Sequence, residues 1–209
     1  MVTQQSDILG RSVRDFAAAT AAKTPTPGGG SVAGAVGMLG TALGEMALAF
    51  TRGKKKFAEH EAYYEHLAGR LLHARTMFAD LVEDDMAAYS LYQEAQKQPD
   101  GPAKEEAVQV AVAAAINVPR EAAKLALALL GDLRELEDKV NPWLITDLMA
   151  SAVLAAAVTR LSDYNVRINV PQVADKAQAD EIRQGSAADC ARAYQILDEI
   201  EQAARKHLA

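Results

Sequence analysis

Cysteine is almost missing from these 209 residues. Cys190 stands alone, so no disulfide can form within the chain, and a reducing cytoplasm is the expected setting. Aromatic residues make up only 5%, too few for a β-sandwich core, and no run of strands is evident. Positive charge is in deficit: 22 Lys plus Arg face 28 Asp plus Glu, and a net charge of −6 argues against a nucleic-acid partner. The opening MVTQQSDILGRSVRDF lacks the apolar core of a signal peptide. There is no second cysteine and no His-Glu-x-x-His pattern, so no metal site is expected.

What is present points to helices. Half the residues are hydrophobic and alanine is very frequent, a mixture suited to close helix packing. The length allows one well-filled core, so residues 1–209 are read as a single all-α domain of six or seven helices.

The chain is organised around Thr24-Pro25-Thr26-Pro27-Gly28-Gly29-Gly30-Ser31. Two prolines stop what precedes, three glycines free the backbone, and Ser31 is a preferred cap type for a helix over Val32 to Phe50. A glycine-rich turn at a helix N-terminus points free N–H groups at one place, which suits an anion or a carbonyl oxygen; a merely flexible start to the helix is equally open. The Lys-Ser/Thr ending of a P-loop is missing, which argues against a nucleotide.

Elsewhere the pattern predicts helices over Asp7 to Ala22 (capped by Ser6, with Ile8, Leu9, Val13, Phe16 and Ala17 inward), Ala58 to Lys97, and Ala103 to Leu130 with a bend at Pro119. A short piece follows at Leu133 to Val140. Helix resumes after the Asn141-Pro142 cap to about Tyr164, and a last one covers Asp175 to His207. Asn165 to Pro171 alternates like a strand but is too short to found a sheet. Gly30, Gly34, Gly37, Thr41 and Gly44 recur at three- and four-residue spacing, a stripe that lets another helix come close. Ser31 to Phe50 and Trp143 to Leu161 are apolar enough to need a membrane check. Their small residues, Glu45, Asp147 and Arg160 favour buried helices of a soluble bundle.

Two carboxylates sit where apolar residues belong. At roughly 100° per residue, Asp85 lies within about 60° of Leu67, Leu71, Phe78, Leu81, Val82, Tyr89 and Tyr92, whereas Glu83 and Asp84 point away. Asp147 falls a turn and a half beyond Asn141, too deep to cap, among Trp143, Leu144, Leu148 and Met149. Inward acids are costly unless paired, and they suit proton transfer; a structural hydrogen bond is the alternative for Asp85.

Pro27-Gly28-Gly29-Gly30-Ser31, Gly53-Lys54-Lys55-Lys56-Phe57, Asp85-Met86-Ala87-Ala88-Tyr89, Val118-Pro119, Asn141 with Thr146-Asp147, and Asn165-Val166-Arg167-Ile168-Asn169 together resemble the folate cyclodeaminase/cyclohydrolase family. The order holds from about residue 10 to the C-terminus. That resemblance implies a helical homodimer acting on a tetrahydrofolate that carries a one-carbon unit. It is expected to need neither metal nor prosthetic group, and to engage no membrane and no nucleic acid. The implied reaction is hydrolysis of 5,10-methenyltetrahydrofolate to 10-formyltetrahydrofolate. Closure of 5-formiminotetrahydrofolate with loss of ammonia is the alternative, and non-catalytic folate binding or simple dimerisation a further one. By the same resemblance Asp147 and Asp85 would transfer protons or orient the substrate. Gly28, Gly29, Gly30 and Ser31 would hold a polar group of the folate, and Asn165 and Asn169 would supply amide hydrogen bonds. Lys54, Lys55 and Lys56 would meet the carboxylates of a glutamate or polyglutamate tail. Pro142-Trp143-Leu144-Ile145 departs from the more polar approach, with an arginine, of transferase-linked members, which puts the substrate and the activity itself in question. No transferase segment is fused here, and that feature tilts the reading toward the hydrolase direction.

Overall fold

The computed structural model describes residues 8–207, so Ser6 and Asp7 lie outside the described residues. Among the described residues there are six α-helices and no strand: α1 Val13–Ala21, α2 Gly29–Ala49, α3 Glu61–Gln96, α4 Pro102–Leu136, α5 Ile145–Asn169 and α6 Lys176–Ala204. Short 3-10 turns at Lys55–His60, Pro142–Leu144 and Val170–Gln172 lie in three of the connections, α2 to α3, α4 to α5 and α5 to α6.

Long helices lie side by side around a leucine- and alanine-rich core that includes Leu71, Phe78, Leu130, Leu133, Leu148 and Ile200. The glycine stripe of α2 is what brings the first three layers together. A Cβ on Gly37 would fall 2.5 Å from the Phe78 ring of α3, and one on Gly40 would come within 3.1 Å of Leu154 Cβ on α5. The α2 backbone therefore sits directly against side chains of both neighbours, gaining dispersion contacts that a larger residue would prevent. Paired positions run in opposite order along both contacts, so α2 is antiparallel to α3 and to α5.

The far end of the α2–α5 pair is stapled by hydrogen bonds. Thr51 Oγ1 donates to Ala47 O at 2.7 Å and accepts from Asn141 N–H at 2.9 Å, while Asn141 Nδ2 donates to Phe50 O. Asn141 Oδ1 also accepts from Trp143 N–H, so it caps the 3-10 turn as its place before Pro142 predicts.

Three expectations change. The first helix has no buried residue, and Val13 is 79% exposed; only Ile8 of its expected inner face is buried, ahead of the helix. The fourth helix does not stop at Leu130, because buried Leu129, Leu130, Leu133 and Leu136 carry one apolar face straight through to its end. The stretch from Asn165 is helical, since Val166 and Val170 pack beside Ile116 of α4, a tertiary contact stronger than local β preference. The second and fifth helices are long and apolar enough to cross a membrane by length and composition, and each has 44% of its most apolar stretch buried.

Candidate functional site

The N-terminal end of α2, the middle of α3 and the C-terminal end of α5 converge on a cleft of about 250 Å³. Gly28, Gly29, Gly30, Asp85, Asn165 and Asn169 all line it. Six of the eleven residues expected from sequence are therefore gathered in one place, with Ser31 directly behind Asp85.

Gly28, not Ser31, caps α2, and Ser31 is the third residue of the helix. Its role is different from a cap. Ser31 N–H and Ser31 Oγ both donate to Asp85 Oδ2, at 2.8 and 2.7 Å. The anion at this helix start is thus the protein's own carboxylate, stabilised by an otherwise unpaired N–H and by the dipole. Oδ1 is left beside Gly30: a Cβ there would lie 2.0 Å from it, so only glycine fits. Asp85 is half-buried and makes no ion pair among the described residues.

The two asparagines are fixed through their amide nitrogens. Asn165 Nδ2 donates to Leu161 O at 2.9 Å, and Asn169 Nδ2 donates to Asn165 O at 2.9 Å and to Ala115 O at 3.3 Å. The last bond has a cause in the sequence. Pro119 has no N–H, so the carbonyl four residues earlier in α4 lacks its helical donor, and Asn169 supplies one. Asn169 spends both of its amide N–H donors and Asn165 one of its two, and the amide oxygens remain as acceptors. Together with Asp85 Oδ1 they give the cleft an acceptor-rich wall.

Tyr89, Tyr92 and Gln172 complete the lining, and Tyr92 Oη donates to Gln172 Oε1 at 2.8 Å, bridging α3 to the turn after α5. The tyrosines stand one and two turns beyond Asp85, a spacing that marks them in the sequence as its face-mates. Gln172 has no such signal. Pro25 and Thr26 form the outer lip, and the Thr26–Pro27 peptide bond is cis.

Asp147 and the lysines are elsewhere. Asp147 is the third residue of α5, because the helix restarts at Ile145 after the 3-10 turn; in a first turn an acid is favoured by the helix dipole. It is half-buried and lies about 27 Å along α5 from Asn165. Lys54, Lys55 and Lys56 are exposed just past the opposite end of α2 from Gly28. Within one chain neither group reaches the cleft. Among the described residues no cluster of His, Cys, Asp or Glu has metal-binding geometry.

A family model described as formiminotransferase-cyclodeaminase matches residues 12–188, which includes every part of the cleft. The chain belongs to the formiminotransferase-cyclodeaminase family. Within the family it is 30% identical to a methenyltetrahydrofolate cyclohydrolase of Methylorubrum extorquens, over 81% of this chain and 84% of that one. It is also 30% identical to the formimidoyltransferase-cyclodeaminase of Mus musculus, over 82% of this chain but only 32% of that one. The chain thus spans about a third of the longer, two-activity relatives. The crystal structure of a formiminotetrahydrofolate cyclodeaminase from Thermotoga maritima superposes with a TM-score of 0.82 at 28% identity, covering 92% of this chain and 96% of that one. The helical bundle is shared with that neighbour.

Proposed function

We propose that this member of the family is a methenyltetrahydrofolate cyclohydrolase, with Asp85 as its acid/base. The observation that carries the reading is the anchored carboxylate: one oxygen held twice by Ser31, the other facing an acceptor-lined cleft. The pyrimidine edge of a pterin is rich in N–H donors, which the Asn165 and Asn169 oxygens suit. The glycine turn, with its leading N–H groups free of helical partners, suits the ring carbonyl.

The substrate carries a cationic N5=C–N10 amidinium. Water adds to that carbon as Asp85 accepts its proton, giving a neutral tetrahedral intermediate. Cleavage of the C–N5 bond, with a proton returned to N5 and the hydroxyl proton lost to solvent, leaves the formyl group on N10. One water is consumed and one proton released. A carboxylate fixed by two charge-assisted hydrogen bonds reorganises little during such transfers. Ring closure of 5-formiminotetrahydrofolate uses the same carbon, with N10 as nucleophile and ammonia as leaving group. The Thermotoga maritima neighbour's name favours this as the second reading.

The test is absorbance of 5,10-methenyltetrahydrofolate in a buffer that keeps spontaneous hydrolysis slow. Accelerated loss with the protein is expected. Silence there together with appearance of the same band and of ammonia from 5-formiminotetrahydrofolate would replace the first reading by the second.

A further inference from the structure

Collapse of the tetrahedral intermediate turns a hydroxyl into a carbonyl, and negative charge gathers on that oxygen as its proton leaves. A hydrogen-bond donor aimed at it lowers the barrier. The oxygens that Asp85, Asn165 and Asn169 turn to the cleft are acceptors. We infer that the Tyr89 hydroxyl is the donor, a catalytic residue beside Asp85, and that Gln93 positions it. The inference rests on the hydrolytic reading and adds a second group to its chemistry.

Asp85, Tyr89 and Gln93 form one row along α3 at four-residue spacing, and the first two line the cleft. Residues so spaced have Cβ atoms about 5–6 Å apart, and helical side chains lean toward the N-terminus of their helix. The Tyr89 phenol therefore reaches back over the turn that carries Asp85, and the Gln93 amide reaches back over Tyr89. The second of these contacts is a hydrogen bond: Gln93 Nε2 donates to Tyr89 Oη at 2.9 Å.

That bond sets the direction of the hydroxyl. One oxygen lone pair of Tyr89 is occupied, and its own O–H has no acceptor among the described residues, so it is kept for a ligand. A hydroxyl that accepts one hydrogen bond is also polarised to donate another. Tyr92 is set the opposite way, with its O–H spent on Gln172 Oε1 at 2.8 Å. Thr26 and the Gln172 amide keep donors too, but they stand on the lip and on the turn after α5, off the row that holds Asp85.

In the reaction, the water that yields its proton to Asp85 becomes the hydroxyl of the intermediate. As this hydroxyl gives its remaining proton to solvent, its electron pair forms the C=O bond and the C–N5 bond breaks. N5 takes up the proton held by Asp85. Tyr89 donates to the oxygen throughout and keeps its own proton. Ring closure of 5-formiminotetrahydrofolate develops no oxygen anion, so this donor serves hydrolysis.

Tyr89→Phe keeps the ring and removes the donor. On 5,10-methenyltetrahydrofolate it is expected to lower kcat about 100-fold while KM stays within about two-fold. The hydroxyl belongs to a side chain that is 36% exposed, so helix content and the urea midpoint should not change. Gln93→Met is expected to lower kcat about 5-fold in the wild type and to add nothing in the Tyr89→Phe background, because it acts through the phenol. Undiminished kcat in Tyr89→Phe, or a loss confined to KM, would mean that the ring only stacks on the pterin, and overturns the catalytic role. Equal losses from Gln93→Met in both backgrounds overturn the positioning role. If Asp85→Asn is slow and Tyr89→Phe is not, this inference fails alone. If the wild type hydrolyses no methenyltetrahydrofolate, or Asp85→Asn is as fast as the wild type, the hydrolytic reading fails and this inference with it.

Discussion

At the scale of single residues the site turns on one missing methyl group. Gly30 leaves room for Asp85 Oδ1, and a Cβ would occupy its position. Gly30→Ala is therefore expected to displace the carboxylate and lower kcat at least 100-fold, as much as Asp85→Asn, while helix content is kept. A Gly30→Ala enzyme of near-normal kcat, measured on methenyltetrahydrofolate, would show that Asp85 is not the acid/base. A subtler residue is Tyr63, whose buried hydroxyl has no hydrogen-bond partner. Burial first, then the charges of Glu135, Asp132 and Asp138, hold its phenol above the ordinary value of 10.0. The folded state thus favours the protonated phenol. Its contribution is complete below about pH 10 and is lost as pH rises, because the unfolded chain ionises first. Tyr63→Phe should flatten the alkaline limb of a stability–pH curve without weakening the protein at pH 7, whereas Tyr64→Phe, which breaks the 2.7 Å bond to Lys139 O, should cost about 1 kcal/mol in urea unfolding. The inward placement of Asp85 was legible from helical angles alone. Its partner was not, because Ser31 is 54 positions away and reads locally as a cap.

At the scale of elements, proline inside α4 links stability to the site. A buried mid-helix proline costs about 3 kcal/mol in a free helix, and here its orphaned carbonyl is answered by Asn169. Pro119→Ala restores the helical donor to Ala115 O and releases the Asn169 amide to turn. The variant is expected to melt at or above the wild-type temperature yet to bind substrate several-fold more weakly, seen as a raised KM. A Pro119→Ala protein with unchanged KM would mean the asparagine does not need that carbonyl. Helix existence was plain in the sequence, from caps such as Asn141 and Asp175 and from the Gln98 to Pro102 break. Helix ends were not: the fourth and fifth helices overrun their expected limits where buried leucines and valines of neighbouring helices reward continuation. Asp147 and the lysines were grouped with the glycine turn by the family resemblance alone, and within one chain the antiparallel α2–α5 pair sets them about 30 Å from the cleft.

At the scale of the whole molecule, the cleft draws on α2, α3, α4 and α5 together, so a ligand that fills it should tie the bundle's fate to its own concentration. At one hundred times Kd, binding adds about 2.7 kcal/mol to stability, which for a chain of this size is a rise in Tm of about 5–10 °C. Reduced folate should produce that shift in the wild type and little of it in Asp85→Asn, measured by calorimetry. An equal shift in both would place the ligand elsewhere. The staple between Thr51 and Asn141 carries a different consequence, one of timing. Its two halves are 90 residues apart, and the fifth helix that receives the glycine stripe lies later still. At typical rates of synthesis the ribosome needs roughly 5–20 s to travel that distance. For that interval the most apolar helix of the chain is finished but has nothing to close its end, and the newborn protein depends on whatever in the cell will shield it.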